Sequence, residues 1–160
     1  MTIHRVLETD REERIESLRQ LIREPDPSTV GELALLATGD EEATIRAMAT
    51  VALRRLKVPE AKAALISATN DEIDDVRRWA IWGLGQMWGA DAIEQLTRAL
   101  LDDPAPVVRR QAAMELSIIG SDEAMGILKL AINDPDKGVS RLAERDIGFL
   151  QGQREGESVE

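Results

Sequence analysis

The sequence predicts an all-α fold, an α-solenoid (alpha-alpha superhelix) of about four to four and a half helical hairpins stacked side by side. Three observations predict it: a repeat of about 31 residues, apolar residues at helical spacing within each repeat, and a composition that is 43% hydrophobic but only 2% aromatic. A core of Ala, Leu, Ile, Val and Met suits closely packed helices better than sheets. The 160 residues are enough for one domain with a continuous core.

The repeat is marked by four aspartates, Asp40, Asp71, Asp103 and Asp134, which are 31, 32 and 31 residues apart. An aliphatic residue follows each aspartate by five positions, an alanine by nine, and Leu or Ile by thirteen. These positions fall within about 80° of one another on a helical wheel, so each unit opens with an amphipathic helix. The residues are Ile45, Val76, Val108 and Val139; Ala49, Ala80, Ala112 and Ala143; and Leu53, Leu84, Leu116 and Ile147.

A short break and a second apolar-periodic segment follow the first helix of each unit, so the units are helical hairpins. In the weaker first unit, Ile15, Leu18 and Ile22 follow Asp10 by five, eight and twelve positions. We expect a single repeat domain at 1–150, with a degenerate first unit at 10–39, units at 40–70, 71–102 and 103–133, and a C-terminal half unit at 134–150. The polar segment 151–160 is expected to be a disordered tail.

One segment carries a family resemblance. Residues 103–116, DPAPVVRRQAAMEL, resemble the signature of HEAT-like repeats of the phycobilisome-lyase type, and the segment that begins at Asp134 is similar. The resemblance covers 40–150 and implies a ladder of Asp–Arg hydrogen bonds between adjacent units. Because a residue type used once per unit belongs to the stack rather than to an active site, we expect pairs such as Asp71 and Arg77 to be structural.

Charge and composition limit the classes of partner. The net charge is −10, and the 20 basic residues are scattered, which opposes binding to nucleic acid or to an anionic membrane. The chain contains no Cys, so it has neither a disulfide nor a thiolate metal site. No stretch approaches the roughly 18 apolar residues of a membrane span, and we expect a cytoplasmic protein.

The sequence offers no convincing catalytic, metal or cofactor site. His4 is the single imidazole, and a lone His is a poor metal site. Metalloenzymes of this family, similar to deoxyhypusine hydroxylase, use repeated His–Glu pairs, which this sequence lacks, so we set that activity aside. We therefore expect no enzyme, no metal and no cofactor.

Apolar residues outside the core face indicate a binding surface instead. Three columns of the repeat carry them, one of them at a position where this family usually has an exposed Glu or Lys, and a parallel column carries arginines. The predicted partner-binding residues are the apolar band Val51, Trp79, Trp82, Met114, Ile118 and Phe149, and the arginine ridge Arg78, Arg110 and Arg141. Alternatively, the helices are rotated and the band is core, while the arginines are solvated and paired with nearby acids.

The predicted function is a non-catalytic protein–protein interaction module, of scaffold, adaptor or assembly-chaperone type. It would bind a protein partner or a second copy of itself through a helix-lined surface. An alternative implied by the resemblance alone is a subunit of a bilin lyase or related cofactor-handling enzyme. A third possibility, a HEAT-like glycosylase acting on nucleic acid, is opposed by the acidity of the chain.

Overall fold

The computed structural model describes residues 10–157, with side chains described as far as residue 152. Within this range the chain forms nine α-helices and no strand. The helices are α1 (Arg11–Arg23), α2 (Val30–Gly39), α3 (Ala43–Leu56), α4 (Ala61–Ala68), α5 (Asp74–Trp88), α6 (Ile93–Asp102), α7 (Pro106–Ile119), α8 (Asp122–Leu128) and α9 (Lys137–Glu157). The predicted all-α solenoid is confirmed.

The helices form two layers. Helices α3 to α8 pair into three hairpins, α1 and α2 precede them as the first unit with α1 packed on α3, and α9 adds a half unit. The odd-numbered helices pack against one another in chain order as the first layer, while the even-numbered helices form the second layer and contact one another less.

The core lies between these layers, in the register that the sequence predicts. The aliphatic column Ile45, Val76, Val108 and Val139 has no exposed surface, and neither does the alanine column Ala49, Ala80, Ala112 and Ala143. Small side chains at these sites let successive first-layer helices approach closely.

Local sequence explains where several helices begin and end. The Asp10 carboxylate accepts hydrogen bonds from the backbone N–H groups of Glu12 and Glu13 and so caps α1. Pro106, whose missing N–H is not needed in a first turn, opens α7, and Gly120 ends it at φ 61°. After α3 the same left-handed turn is made by Lys57, at φ 54°.

The predicted Asp–Arg ladder joins adjacent units. The guanidinium Nε donates to the aspartate of the next unit at 2.7 Å in Arg46–Asp71, 2.8 Å in Arg77–Asp103 and 2.7 Å in Arg109–Asp134. All three arginines are buried. Each also donates to backbone carbonyls in the turn before its own helix.

The first unit also contributes to this ladder, in a register that differs from the predicted one. Arg14 donates to Asp40 across 26 positions, the spacing that separates Arg77 from Asp103. Arg14 follows Asp10 by four positions instead of six, so the unit is shifted by two residues relative to our alignment. Asp10 serves as a helix cap, and Leu18 is the fully buried residue of α1.

The C-terminal segment differs from the expected tail. Helix α9 continues to Glu157, so the backbone of 151–157 is helical where the sequence predicts disorder. No proline interrupts this segment, and its Gln, Arg and Glu residues favour helix. The expectations for His4 and for residues 158–160 concern positions outside the described residues. No helix in the described part is long and apolar enough to cross a membrane.

Candidate functional site

The predicted apolar band is divided in the structure. On α7 and α9, Met114, Ile118 and Phe149 are exposed by 40%, 66% and 65%. On α3 and α5, Val51, Trp79 and Trp82 are half-buried. The outward orientation that we predicted therefore applies to α7 and α9, whereas the α3 and α5 members are partly packed.

The tryptophans are covered by arginines. The Trp79 and Trp82 ring centroids are 5.1 Å apart, with the planes tilted by 34°. The Arg78 guanidinium lies 4.4 Å from the Trp79 centroid, and that of Arg54 lies 3.9 Å from the Trp82 centroid. Both distances are within the range of favourable cation–π contact.

The arginine ridge is divided too. Arg78 donates to the Asp75 carboxylate at 2.8 Å, so it is a paired cation, as the alternative interpretation proposes. Arg110 and Arg141 are exposed, and neither takes part in an ion pair between described residues. These two arginines are open to a partner.

A buried polar cluster that sequence reasoning missed lies where α3, α5 and α7 meet. Its centre is Glu115 of α7, which is only 2% exposed. Gln86 of α5 donates from Nε2 to Glu115 Oε2 at 3.1 Å, and Gln111 donates from Nε2 to Oε1 at 2.8 Å. Both carboxylate oxygens are therefore hydrogen-bonded, although by neutral donors.

Burial shifts the ionisation of the groups in this cluster. Loss of water raises the pKa of Glu115, against the opposing effects of the two amide donors and of the charge on Arg54. Burial also lowers the pKa of Arg54, with a contribution from the neighbouring Arg55, and Arg54 Nε is buried without a hydrogen-bond partner. The two charged groups form no direct ion pair. The hydrogen bonds and charges within the cluster therefore offset only part of the free-energy cost of burying these two charged groups.

Gly85 provides the space for Glu115. A Cβ atom at Gly85 would lie 2.5 Å from Glu115 Cγ, which is closer than two such atoms can approach. The sequence held a signal for this pair, because Glu115 stands twelve positions after its repeat aspartate, where the two preceding units carry Ala52 and Gly83. A carboxylate in a column of small residues beside the core face requires space in the adjacent helix.

Metal-ligating groups are not assembled in this region. Among the described side chains, no three or more His, Cys, Asp or Glu residues are placed to hold a metal ion. The candidate site consists of a carboxylate, two amides, an arginine and two indole rings.

Curated relatives of this chain are enzymes. It is 33% identical over 118 residues to deoxyhypusine hydroxylase-B of Oryza sativa subsp. japonica, a match that covers 72% of this chain and 39% of that protein. It is 38% identical over 101 residues to deoxyhypusine hydroxylase of Arabidopsis thaliana, covering 62% and 32%, and 33% identical over 135 residues to that of Homo sapiens, covering 82% and 44%. The chain matches less than half the length of these relatives.

A solved structure gives the same result. The structure of human deoxyhypusine hydroxylase in complex with glycerol matches with a TM-score of 0.65 and 26% sequence identity, over 77% of this chain and 43% of that one.

These similarities correct the functional prediction. The interpretation as a non-catalytic scaffold, its bilin-lyase alternative and the expectation of no enzyme are wrong, because the relatives and the structural neighbour are deoxyhypusine hydroxylases. The expectation of no enzyme depends on one motif, the His–Glu pair. The similarity instead extends over the repeats.

The repeats themselves match a family model. The model described as HEAT repeats matches residues 3–85, 32–117 and 64–148, so successive matches overlap and together cover most of the chain. The periodicity, the Asp–Arg ladder and the two-layered stack agree with this match, and the chain belongs to the HEAT-repeat family.

Proposed function

We propose that this chain works in an enzyme of the deoxyhypusine hydroxylase type and that its first-layer helices α3, α5 and α7 contact the substrate. The observation that carries the proposal is the Glu115 cluster. A buried carboxylate without a cationic hydrogen-bond partner costs folding free energy, and the ladder already supplies the polar contacts between units. Such a group is typical of a functional site.

The described residues do not fit a metal. The family's metalloenzymes use repeated His–Glu pairs, whereas this sequence holds a single His, at position 4, and no Cys. The Glu115 cluster contains one carboxylate, which accepts hydrogen bonds from two amide groups, and a guanidinium, which has no lone pair to offer a metal. We assign the cluster a part in substrate binding.

The charge of the chain suits the substrate that the relatives' name indicates. Deoxyhypusine is a lysine derivative with amino groups, which are cationic at neutral pH. A net charge of −10 attracts such a group at long range. At short range Glu115 is the acceptor, once the exposed Gln86 amide moves aside.

The exposed part of the apolar band suits the protein that would carry this side chain. Met114 and Ile118 extend along α7, the helix that also holds Glu115, and Phe149 follows on α9. Exposed Met, Ile and Phe side chains beside a polar site are typical of a protein-binding surface. Arg110 and Arg141 would pair with acidic residues of the partner.

Several finer expectations remain proposals. They are the phycobilisome-lyase subtype of the repeat, a location in the cytoplasm, the absence of nucleic-acid or membrane partners, and a homodimer as an alternative use of the apolar band.

Peptide binding tests the proposed function. Two fluorescently labelled peptides, identical except for lysine or deoxyhypusine at one position, are titrated with the protein and followed by anisotropy. We expect the deoxyhypusine peptide to bind more tightly. Glu115→Gln should weaken that binding about tenfold, equivalent to about 1.4 kcal/mol, because it removes the charged acceptor but keeps the side-chain size.

The matched control is Glu123→Gln, which removes the same charge from an exposed site on α8. Circular dichroism verifies that both variants are folded. Equal affinity of the protein for the two peptides contradicts the proposal, and so does an equal loss of affinity for the deoxyhypusine peptide in the two variants.

A further inference from the structure

A cationic cleft lies at the C-terminal ends of α3 and α5. Its volume is about 670 Å³, and its charged lining residues are Arg54, Arg55 and Lys57, with no carboxylate. This composition is unusual in a chain with 30 acidic and 20 basic residues. Three positive charges are concentrated within four positions of the sequence.

These cations form no ion pairs with acids in the described part of the chain. None of the three belongs to an ion pair between described residues. Arg55 donates from Nε to the carbonyl of Ile22 at 3.1 Å, and Arg54 Nε has no partner. The carbonyls at the end of α3 supply the equivalent of about half a negative charge, which is less than the three positive charges beside them.

The cleft is also lined by apolar and aromatic side chains. Met87 and Trp88, the last residues of α5, line the cleft together with the amide of Gln86. Trp88 is half-buried, and Lys62 Nζ lies 5.7 Å from its ring centroid. An aromatic ring therefore lines the same cleft as the arginines.

A second cleft shows the ordinary arrangement. It has a volume of about 480 Å³ and lies beside α6, where Arg77 and Arg98 share the lining with Asp71, Glu94, Asp102 and Asp103. Charges in that cleft are compensated by their neighbours. No described acidic residue lines the α3–α5 cleft.

We propose that the α3–α5 cleft binds a small organic anion, in which a phosphate or carboxylate is attached to a flat apolar group. Arg54 and Arg55 hold the anion through charge-assisted hydrogen bonds, Lys57 adds a mobile ammonium, and the apolar group packs on Trp88. This site shares Arg54 and Gln86 with the Glu115 cluster but does not depend on the proposed enzyme activity.

Calorimetry at constant ionic strength tests the proposal with three probes: inorganic phosphate, phenyl phosphate and benzoate. We expect phenyl phosphate to bind about tenfold more tightly than inorganic phosphate, because it also contacts Trp88. Comparison of phenyl phosphate with benzoate shows whether phosphate or carboxylate is preferred.

Arg55→Glu combined with Lys57→Glu should weaken phenyl phosphate binding at least tenfold. Both side chains are exposed, so the double variant should fold.

The matched control combines Lys129→Glu and Lys137→Glu, which makes the same change of net charge at exposed sites outside the cleft. Equal losses in the two double variants would show that only overall charge matters and would overturn the proposal, as would failure of every probe to bind at millimolar concentration. Trp88→Leu should remove the preference for phenyl phosphate over inorganic phosphate; a preserved preference rejects the role of Trp88. None of these measurements uses a deoxyhypusine peptide, so this site and the proposed function fail or succeed separately.

Discussion

Glu115 and Gly85 show how one residue in the repeat dictates another in the next helix. The carboxylate enters the space between α5 and α7 because Gly85 has no side chain there. Glycine in a helix interior costs about 1 kcal/mol relative to alanine. The glycine thus lowers the stability of α5 and makes room for a buried carboxylate. Packing of one repeat on the next does not require either feature.

Gly85→Ala should therefore destabilise the protein, although alanine is the better helix former. The added methyl group would lie 2.5 Å from Glu115 Cγ, and relieving such overpacking costs about 1–3 kcal/mol. The double variant Gly85→Ala with Glu115→Ala should recover most of this loss, since the obstructing side chain is then gone. Denaturant unfolding followed by circular dichroism measures both changes.

Gly126→Ala is the matched control. Gly126 lies within α8, and a Cβ atom there meets nothing within 4 Å. This variant should be neutral or stabilising by up to about 1 kcal/mol. If Gly85→Ala behaves like Gly126→Ala, the close packing of Glu115 on α5 is incorrect.

At the level of helices, the ladder arginines fix how one unit meets the next. Arg77 Nη1 donates to the carbonyls of Asp71 and Glu72 in its own unit, while Nε and Nη2 donate to the carboxylate of Asp103. Asp103 in turn accepts from the backbone N–H of Ala105, just before α7 begins. One guanidinium thus connects two turns, and the aspartate orients the next helix.

Removing one member of this ladder should be costly. Arg77→Ala leaves the buried Asp103 carboxylate without its cation, and loss of one partner from a buried ion pair costs about 3–5 kcal/mol. Arg77→Lys should recover little of that loss, because lysine lacks the planar fork that spans both turns. Arg145→Ala breaks an ion pair whose arginine is 72% exposed and should change the unfolding free energy by less than about 1 kcal/mol. Similar losses in the Arg77 and Arg145 variants would contradict a structural ladder.

The sequence predicted the helices well where the repeat is regular. The core columns of α3, α5, α7 and α9 depend on helical spacing alone, which is a local property. In α1 the predicted register of the repeat is wrong by two residues, because the position of Arg14 is recognisable only through its pairing with Asp40, 26 residues away. Glu115 was missed for the same reason, since its partner Gly85 belongs to another unit.

For the whole molecule, the architecture could be predicted but the function could not. In a stack of repeats each unit contacts mainly its neighbours, so the repeat pattern alone specifies the fold. Catalysis depends instead on which side chains of different units converge, and a repeat pattern leaves that open. The apolar band illustrates the difference: the sequence located its residues, whereas the exposure of Phe149 and the coverage of Trp82 depend on neighbouring helices.

Charge is another property of the whole molecule, and it predicts how stability depends on pH. At pH 7 the net charge of −10 opposes the compact state, and this repulsion weakens as the pH falls towards the isoelectric point near 4.7. Glu115 also makes the folded state more stable as the pH falls. Burial raises its pKa above the usual 4.5, so its contribution to stability is full below pH 4.5 and is lost as the pH rises through the raised value.

At lower pH the Asp–Arg ladder makes the folded state less stable as the pH falls. Hydrogen bonds from Arg109 hold the pKa of Asp134 below its usual 3.8, so the stability from this pair is present above pH 3.8 and is lost as the pH falls through the lowered value. Thermal melts between pH 3 and 8 at fixed ionic strength should therefore show a maximum near pH 4.5–5. Glu115→Gln should reduce the rise between pH 7 and that maximum by about 1.4 kcal/mol for each unit by which the pKa is raised, and should leave the acid limb unchanged. A maximum at neutral pH would show that the net charge does not control the profile, and an undiminished rise in the variant would show that the buried carboxylate does not contribute to it.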